Sequence, residues 1–235
     1  LAKLAWNPNS KYNIVKDGSR FVLREGENVL RKIVFERQPG FYRFKTKDGK
    51  RYQQIIQASQ RGRVAITYSN ECCLKDKGLD CKFCNINATK KNYGEVDGLD
   101  WKSPDEIGEA VAAAYKEGYY GFNLTGGFVP ERREVDYYID VVEAIIEKTG
   151  TTDVRGMACI GAPKDHSIIE QYKEAGFQHI ATNLEVWDEN NFKFICPGKV
   201  QECGGRENWL AVLKHEVDVF GKYNVRSNFV AGLEP

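Results

Sequence analysis

From residue 64 onward, short apolar runs alternate with amphipathic ones, and this rhythm constrains the fold more than any other feature. Residues 64–69, 119–124, 153–160, 179–186 and 225–232 are short and rich in apolar and β-branched side chains, so they read as strands. Between them, apolar residues recur at helical spacing. Ser103-Pro104-Asp105-Glu106 opens one such stretch as a capping box with Pro at the first helical position. Ile107, Val111, Ala114 and Tyr115 then share a face, and Gly118 closes it. Val135, Tyr138, Ile139, Val142, Ile145 and Ile146 mark a second helix ended by Gly150. Ile168, Ile169 and Tyr172 mark a third, ended by Gly176, and Trp209, Val212, Leu213 and Val217 a fourth, ended by Gly221.

Strands alternating with helices imply a parallel sheet of right-handed βα units, an α/β fold. A partial TIM-like (β/α) barrel is the expectation, because helix-covered parallel strands carry their reactive groups at the strands' C-terminal ends. A doubly wound sheet is the alternative that periodicity leaves open. The fifth strand is followed almost at once by Pro235. A parallel edge there would expose apolar surface, so the barrel is expected to be incomplete at its C-terminus or covered by another chain.

Residues 1–60 follow a different pattern. Phe21-Val22-Leu23, Val29-Leu30, Ile33-Val34-Phe35 and Phe41-Tyr42-Arg43-Phe44 are short apolar runs punctuated by Gly26, Pro39-Gly40 and Asp48-Gly49. Asp48-Gly49 between Phe44-Lys45-Thr46 and Arg51-Tyr52 is a hairpin signal. The organisation expected is a small β-rich N-terminal extension over 1–60 and a barrel core over 61–235.

Composition narrows the function. Hydrophobic residues make up 42 % of the 235, enough for a sizeable core. With 34 basic and 33 acidic residues, no charge excess points to nucleic acid or an anionic membrane surface. No apolar run reaches the length of about 18 residues that a membrane span needs. The start, Leu1 to Pro8, lacks the apolar region of a secretory signal, and without an initiator Met it leaves room for residues upstream. Seven cysteines, three of them within twelve residues, do not read as a dispersed disulfide framework. Metal-bound thiolates in a reducing cytoplasm fit this usage better.

Those three are Cys73, Cys81 and Cys84, spaced C-x7-C-x2-C on a loop directly after the first strand of the rhythm. Three thiolates there can hold three irons of a [4Fe–4S] cluster and leave the fourth open for a small molecule. Together with one further thiol or imidazole, the same cysteines could instead close a tetrahedral zinc site, and the chain would be a zinc-stabilised, non-catalytic binding module.

The pattern resembles the radical S-adenosylmethionine (SAM) superfamily, nearest to its biotin synthase and hydrogenase-maturation branch. That superfamily carries C-x3-C-x2-C after its first barrel strand, with an aromatic residue before the last Cys. Here Phe83 is that aromatic and the first arm is longer, which leaves Cys72 or Cys73 as the first ligand; Cys73 is the expectation. Leu124-Thr125-Gly126-Gly127 is similar to the Gly-Gly-acid segment that meets SAM after the second strand, with Phe128 in place of the acid, so only a backbone role carries over. Alone, Gly126-Gly127 equally describes a tight strand-to-helix turn. Asn183-Leu184-Glu185 resembles the acidic position after the fourth strand, and Arg206 the residue that pairs with the SAM carboxylate through a bidentate fork. Phe229-Val230-Ala231-Gly232 resembles the segment that lies against adenine, with Val230 and Gly232 as its contacts.

The resemblance implies a [4Fe–4S] cluster and SAM as cofactors, with a one-electron reductant such as ferredoxin or flavodoxin as partner. It implies reductive cleavage of SAM to a 5′-deoxyadenosyl radical that takes hydrogen from a small-molecule or cofactor-precursor substrate. Sulfur insertion, carbon–carbon rearrangement and methylation remain open as outcomes, with cofactor biosynthesis as the setting. Cys196 and Cys203, in a loop-like stretch, read as ordinary thiols, with ligation of an auxiliary iron–sulfur cluster, sulfur donation and a redox role as the alternatives. Cys159, in an apolar strand, reads as core. Neither nucleic acid nor membrane is expected as a partner, and the oligomeric state is open.

Overall fold

The computed structural model describes residues 7–35, 37–59, 62–86 and 101–234. The chain divides into two compact units, Leu1–Gln38 and Pro39–Pro235. In the first, strands β1 (Tyr12–Asp17), β2 (Arg20–Glu25) and β3 (Asn28–Ile33) form an antiparallel meander in that order. Of its described residues only Val22 is a buried hydrophobic.

The second unit begins with a 3-10 turn, Gly40–Arg43, and a short helix α1 (Tyr52–Ile55). Strand β4 (Gln57–Ser59) pairs antiparallel with β5 (Arg63–Thr67). Helices α2 (Cys73–Asp76) and α3 (Pro104–Lys116), strand β6 (Phe122–Thr125), helix α4 (Glu131–Thr149), strand β7 (Gly156–Ile160), helix α5 (Ile168–Glu174) and strand β8 (His179–Thr182) follow. The chain then forms α6 (Glu189–Ile195), α7 (Pro197–Gln201), α8 (Gly205–Phe220) and β9 (Val225–Arg226). The sheet order is β4-β5-β6-β7-β8-β9, and β5 to β9 are all parallel. This is the α/β, TIM-like partial barrel that the strand–helix rhythm implies.

Register explains which side chains reach the core. Ile66, Leu124, Ala158, Ile180 and Val225 sit side by side across the five parallel strands. Ile66, Leu124, Ala158 and Ile180 are fully buried in the main hydrophobic cluster with Ile107, Val111, Val142 and Ile145 of α3 and α4. Because side chains alternate along a strand, Thr125 and Cys159 point to the opposite face. The helix ends are fixed locally. Ser103 Oγ accepts from Glu106 N (3.2 Å) while Glu106 Oε2 accepts from Ser103 N (3.1 Å), the reciprocal capping box. Gly150 ends α4 in the left-handed conformation, φ 72°.

Four regions differ from the sequence reading. The boundary between units falls at Gln38/Pro39, not at residue 60, because Phe41, Ile55 and Ile56 are fully buried in the barrel unit's core. The Asp48-Gly49 signal forms a tight turn, with Gly49 N donating to Thr46 O at 2.9 Å and Lys45 bridging Arg51, but Tyr52 then starts a helix. Strand β9 is only two residues long. Beyond it, side chains substitute for the ladder: Leu184 N donates to Ser227 Oγ (2.9 Å) and Asn228 N to Asn183 Oδ1 (3.2 Å). The stretch after β8 that reads as a loop holds two short helices. Asp188 caps α6 by accepting from Asn191 N (2.8 Å), and Pro197 opens α7.

Candidate functional site

The C-terminal ends of the parallel strands surround a cavity of about 160 Å³. Thr125 at the end of β6 and Gly126, Gly127 and Phe128 after it line one wall, with Cys159 and Ile160 of β7 and the following Gly161 beside them. Asn183 and Glu185 after β8 line the other, together with Lys199 of α7 and Trp209 of α8. Cys72, Leu74 and Cys81 of the cysteine loop complete the rim, and Glu134 of α4 reaches it from behind.

The first wall is backbone. Tyr68 N donates to Thr125 O (2.9 Å) and Gly127 N to Ser69 O (3.0 Å), which clamps the turn against the end of β5. A Cβ on Gly126 would stand 2.3 Å from the Tyr68 ring, and one on Gly127 1.7 Å from Glu71 O. Only glycine fits either position. This close approach, rather than a positive φ, is why the chain carries Gly-Gly here.

The cysteine loop divides its thiols. Cys72 and Cys81 line the cavity, while Cys73, Cys84 and Phe83 are not among its lining residues. Cys73 opens α2, its N–H donating to Phe128 O at 2.8 Å. Cys84 N donates to Cys81 O at 2.9 Å, and Phe83 is exposed. The neighbouring Cys196 pushes the Cys81 thiol up, and Cys81 in turn pulls Cys196 down. Burial pushes the Cys73 thiol up, and pushes Cys203, beside it, up to about 12. Among the described residues, no three His, Cys, Asp or Glu side chains converge closely enough to hold a metal ion. The donor chemistry of the loop still fits iron: four thiols lie within thirteen residues, and two of them face a cavity with room for a ligand beside the metal.

The second wall carries the charges. Glu185 adopts a left-handed backbone, φ 72°, uncommon for a residue with a side chain. It is held there by Glu185 N donating to Asn228 O and Val230 N donating to Glu185 O, both 2.9 Å. Burial raises its carboxyl pKa. Lys199 is only 9 % exposed; its Nζ donates to Asn183 O (2.6 Å) and lies 4.5 Å from the Trp209 ring centre. Glu134 is pushed up to about 8 by burial, and its Oε2 accepts from Gly161 N and Tyr172 OH, both at 3.4 Å.

Thr125, Gly126, Gly127, Glu185 and Cys81 of the expected site therefore share one cavity. Arg206 does not: its Nε donates to Trp187 O (2.9 Å) and its guanidinium covers the Trp187 ring at 4.9 Å. Val230 touches the site only through its backbone bond to Glu185, and Gly232 sits in open space at φ 88°. Lys199, Glu134 and Trp209 were not legible as site residues, and Cys159, expected in the core, lines the cavity. The one local signal for Lys199 was its place three residues after Cys196, in a helix opened by Pro197.

A strand-end cavity beside a thiol-rich loop on a partial (β/α) barrel lies where barrel proteins of this class carry their sites. The sequence family described as the radical SAM superfamily matches residues 70–230, and this chain belongs to it. Membership implies a [4Fe–4S] cluster and SAM. Bacteriochlorophyllide c C-7(1)-hydroxylase of Chlorobaculum limnaeum is 30 % identical over 190 residues, 73 % of this chain and 46 % of that protein. A probable GTP 3′,8-cyclase of Pyrococcus abyssi is 26 % identical over 137 residues, 56 % of this chain and 37 % of that one. The [FeFe]-hydrogenase maturase HydG of Carboxydothermus hydrogenoformans shares the fold, with a TM-score of 0.55 at 17 % identity over 74 % of this chain and 37 % of the maturase. The chain spans less than half the length of each. No helix among the described residues is long and apolar enough to cross a membrane.

Proposed function

We propose that this chain binds a [4Fe–4S] cluster through Cys81, Cys84 and one thiol of the Cys72-Cys73 pair, binds SAM in the strand-end cavity, and acts on a small-molecule substrate in cofactor biosynthesis. The observation that carries the reading is the meeting, in one cavity, of loop thiols, a Gly-Gly backbone wall and an oppositely charged Glu185–Lys199 wall. When bound, the cluster and SAM supply a 5′-deoxyadenosyl radical for hydrogen abstraction, with the electron from a donor such as ferredoxin or flavodoxin. The protein's share is positioning. Thr125, Gly126 and Gly127 offer backbone groups that no side chain shields. Glu185 and Lys199 suit the ammonium and carboxylate of a zwitterionic ligand, so Lys199 takes the carboxylate role that the resemblance gave to Arg206. Phe128 and Trp209 keep water out, which strengthens these contacts. The names of the hydroxylase and the cyclase support a small-molecule substrate.

Anaerobic reconstitution tests this directly. About four irons and four sulfides per chain, and 5′-deoxyadenosine after reduction with SAM, are expected. Cys81→Ala and Cys84→Ala lose the cluster, and comparing Cys72→Ala with Cys73→Ala identifies the third ligand. Zinc without sulfide would overturn the reading.

A further inference from the structure

The cysteine loop lies along the elbow between α6 and α7 in antiparallel order. Lys82 N donates to Ile195 O (2.9 Å), Gly198 N donates to Leu79 O (3.1 Å), and Lys77 Nζ pairs with Glu202 Oε2 (2.5 Å). The fit is close: a Cβ on Gly198 would stand 2.5 Å from Leu79 O. The first two bonds bracket Cys81 on one side and Cys196 on the other, which sets these two residues side by side. Cys196 is fully buried, whereas Cys81 lines the cavity. A small oxidant therefore reaches Cys81 first, with the buried Cys196 on the neighbouring segment behind it.

We propose that Cys196 is the resolving thiol of Cys81: in the metal-free protein, peroxide converts Cys81 to a sulfenic acid, and Cys196 closes a Cys81–Cys196 disulfide that reversibly withdraws Cys81 from iron binding. In the first step peroxide transfers one oxygen to the Cys81 sulfur and leaves as water. In the second, the Cys196 sulfur attacks the sulfenic sulfur and releases the other water. Two thiols are oxidised by two electrons and one peroxide is reduced to two waters. Loss of iron binding rests on the function proposed above; the linkage itself rests only on the loop–elbow geometry.

The test uses the full chain stripped of metal, one equivalent of hydrogen peroxide, alkylation and a tryptic digest without reductant. Cleavage after Lys77 and Lys82 isolates Cys81 from Cys84, and cleavage after Lys193 and Lys199 isolates Cys196. A peptide pair joining Cys81 to Cys196 is expected, together with a loss of iron and sulfide uptake that dithiothreitol restores. In Cys196→Ser two equivalents of peroxide, one for each oxygen added, carry Cys81 on to sulfinic acid and dithiothreitol no longer restores uptake, whereas the wild type given the same two equivalents keeps the disulfide and recovers. A Cys81–Cys84 linkage, or no linkage to Cys196, overturns the proposal. So does a Cys196→Ser protein that recovers as the wild type does. The linkage is read by mass, so it is decided even if the chain takes up no iron.

Discussion

The two walls of the cavity are built from different materials. The β6 wall is main chain, fixed by bonds from Tyr68 and Gly127 and by two positions where a single added carbon collides with a neighbour. The β8 wall is side chains, Glu185, Lys199 and Trp209, brought in by three separate elements. Each wall is backed by one buried carboxyl, Glu134 near β6 and β7, and Glu216 behind β8, where Thr182 Oγ1 donates to it at 2.5 Å. A backbone wall fixes shape and tolerates no substitution, whereas a side-chain wall fixes charge and can be edited one group at a time.

The largest effect is expected where the backbone wall is broken. Gly127→Ala puts a Cβ 1.7 Å from Glu71 O, so the main chain must move. A stability loss of about 3 kcal/mol is expected by urea denaturation. Wild-type stability in this variant would show that the wall is not rigid. Next comes the charged wall. Lys199→Met keeps the length of the side chain on Trp209 but removes the cation, and SAM affinity in the reconstituted protein is expected to fall by about tenfold or more. Arg206→Met, outside the cavity, is expected to change it by less than about threefold; the reverse order would return the carboxylate role to Arg206.

A subtler difference lies in pH dependence. Burial raises both Glu134 and Glu216 from the ordinary carboxyl value to about 8. A group whose folded pKa is raised lends stability that is full below its unfolded value and fades as pH climbs towards the folded one. The protein should therefore lose a few kcal/mol of stability between about pH 5 and pH 8. Glu216→Gln and Glu134→Gln should each flatten that slope in thermal melts; an unchanged slope in both would mean these carboxyls are already ionised in the fold. The smallest effect belongs to the surface. His215 Nε2 meets Glu170 Oε1 at 2.9 Å between partly exposed side chains. His215→Ala is expected to cost no more than about 1 kcal/mol at any pH.

Legibility in the sequence followed the same division. The Ser103–Glu106 box, the Gly150 stop and the strand rhythm are local signals, and each reappears in the fold. Gly126-Gly127 stood out in the sequence because glycine is an exception wherever it is required, and the structure places it in the cavity wall. Lys199 and Arg206 were not separable, since both are basic residues between β8 and the body of α8. Which one is buried depends on how α6 and α7 fold back over the strand ends, and Pro197-Gly198 made that stretch look like a loop. The shortness of β9, which reads as a strand over 225–232, escaped notice for a related reason. Its sequence suits a strand, but Ser227 and Asn183 side chains take over the hydrogen bonds that a longer ladder would have made.

The pairing of Lys77 with Glu202 joins residues 125 positions apart. The cysteine loop therefore emerges from the ribosome long before the elbow that supports it. During that interval its thiols have neither their wall nor the neighbour that holds Cys81 in place. Under the function proposed above, metal insertion is therefore expected late in synthesis, after the chain beyond Cys203 has emerged. Nascent chains stalled before Ile195 should retain no iron when supplied with iron and sulfide, and retention by such chains would separate loop competence from completion of the barrel.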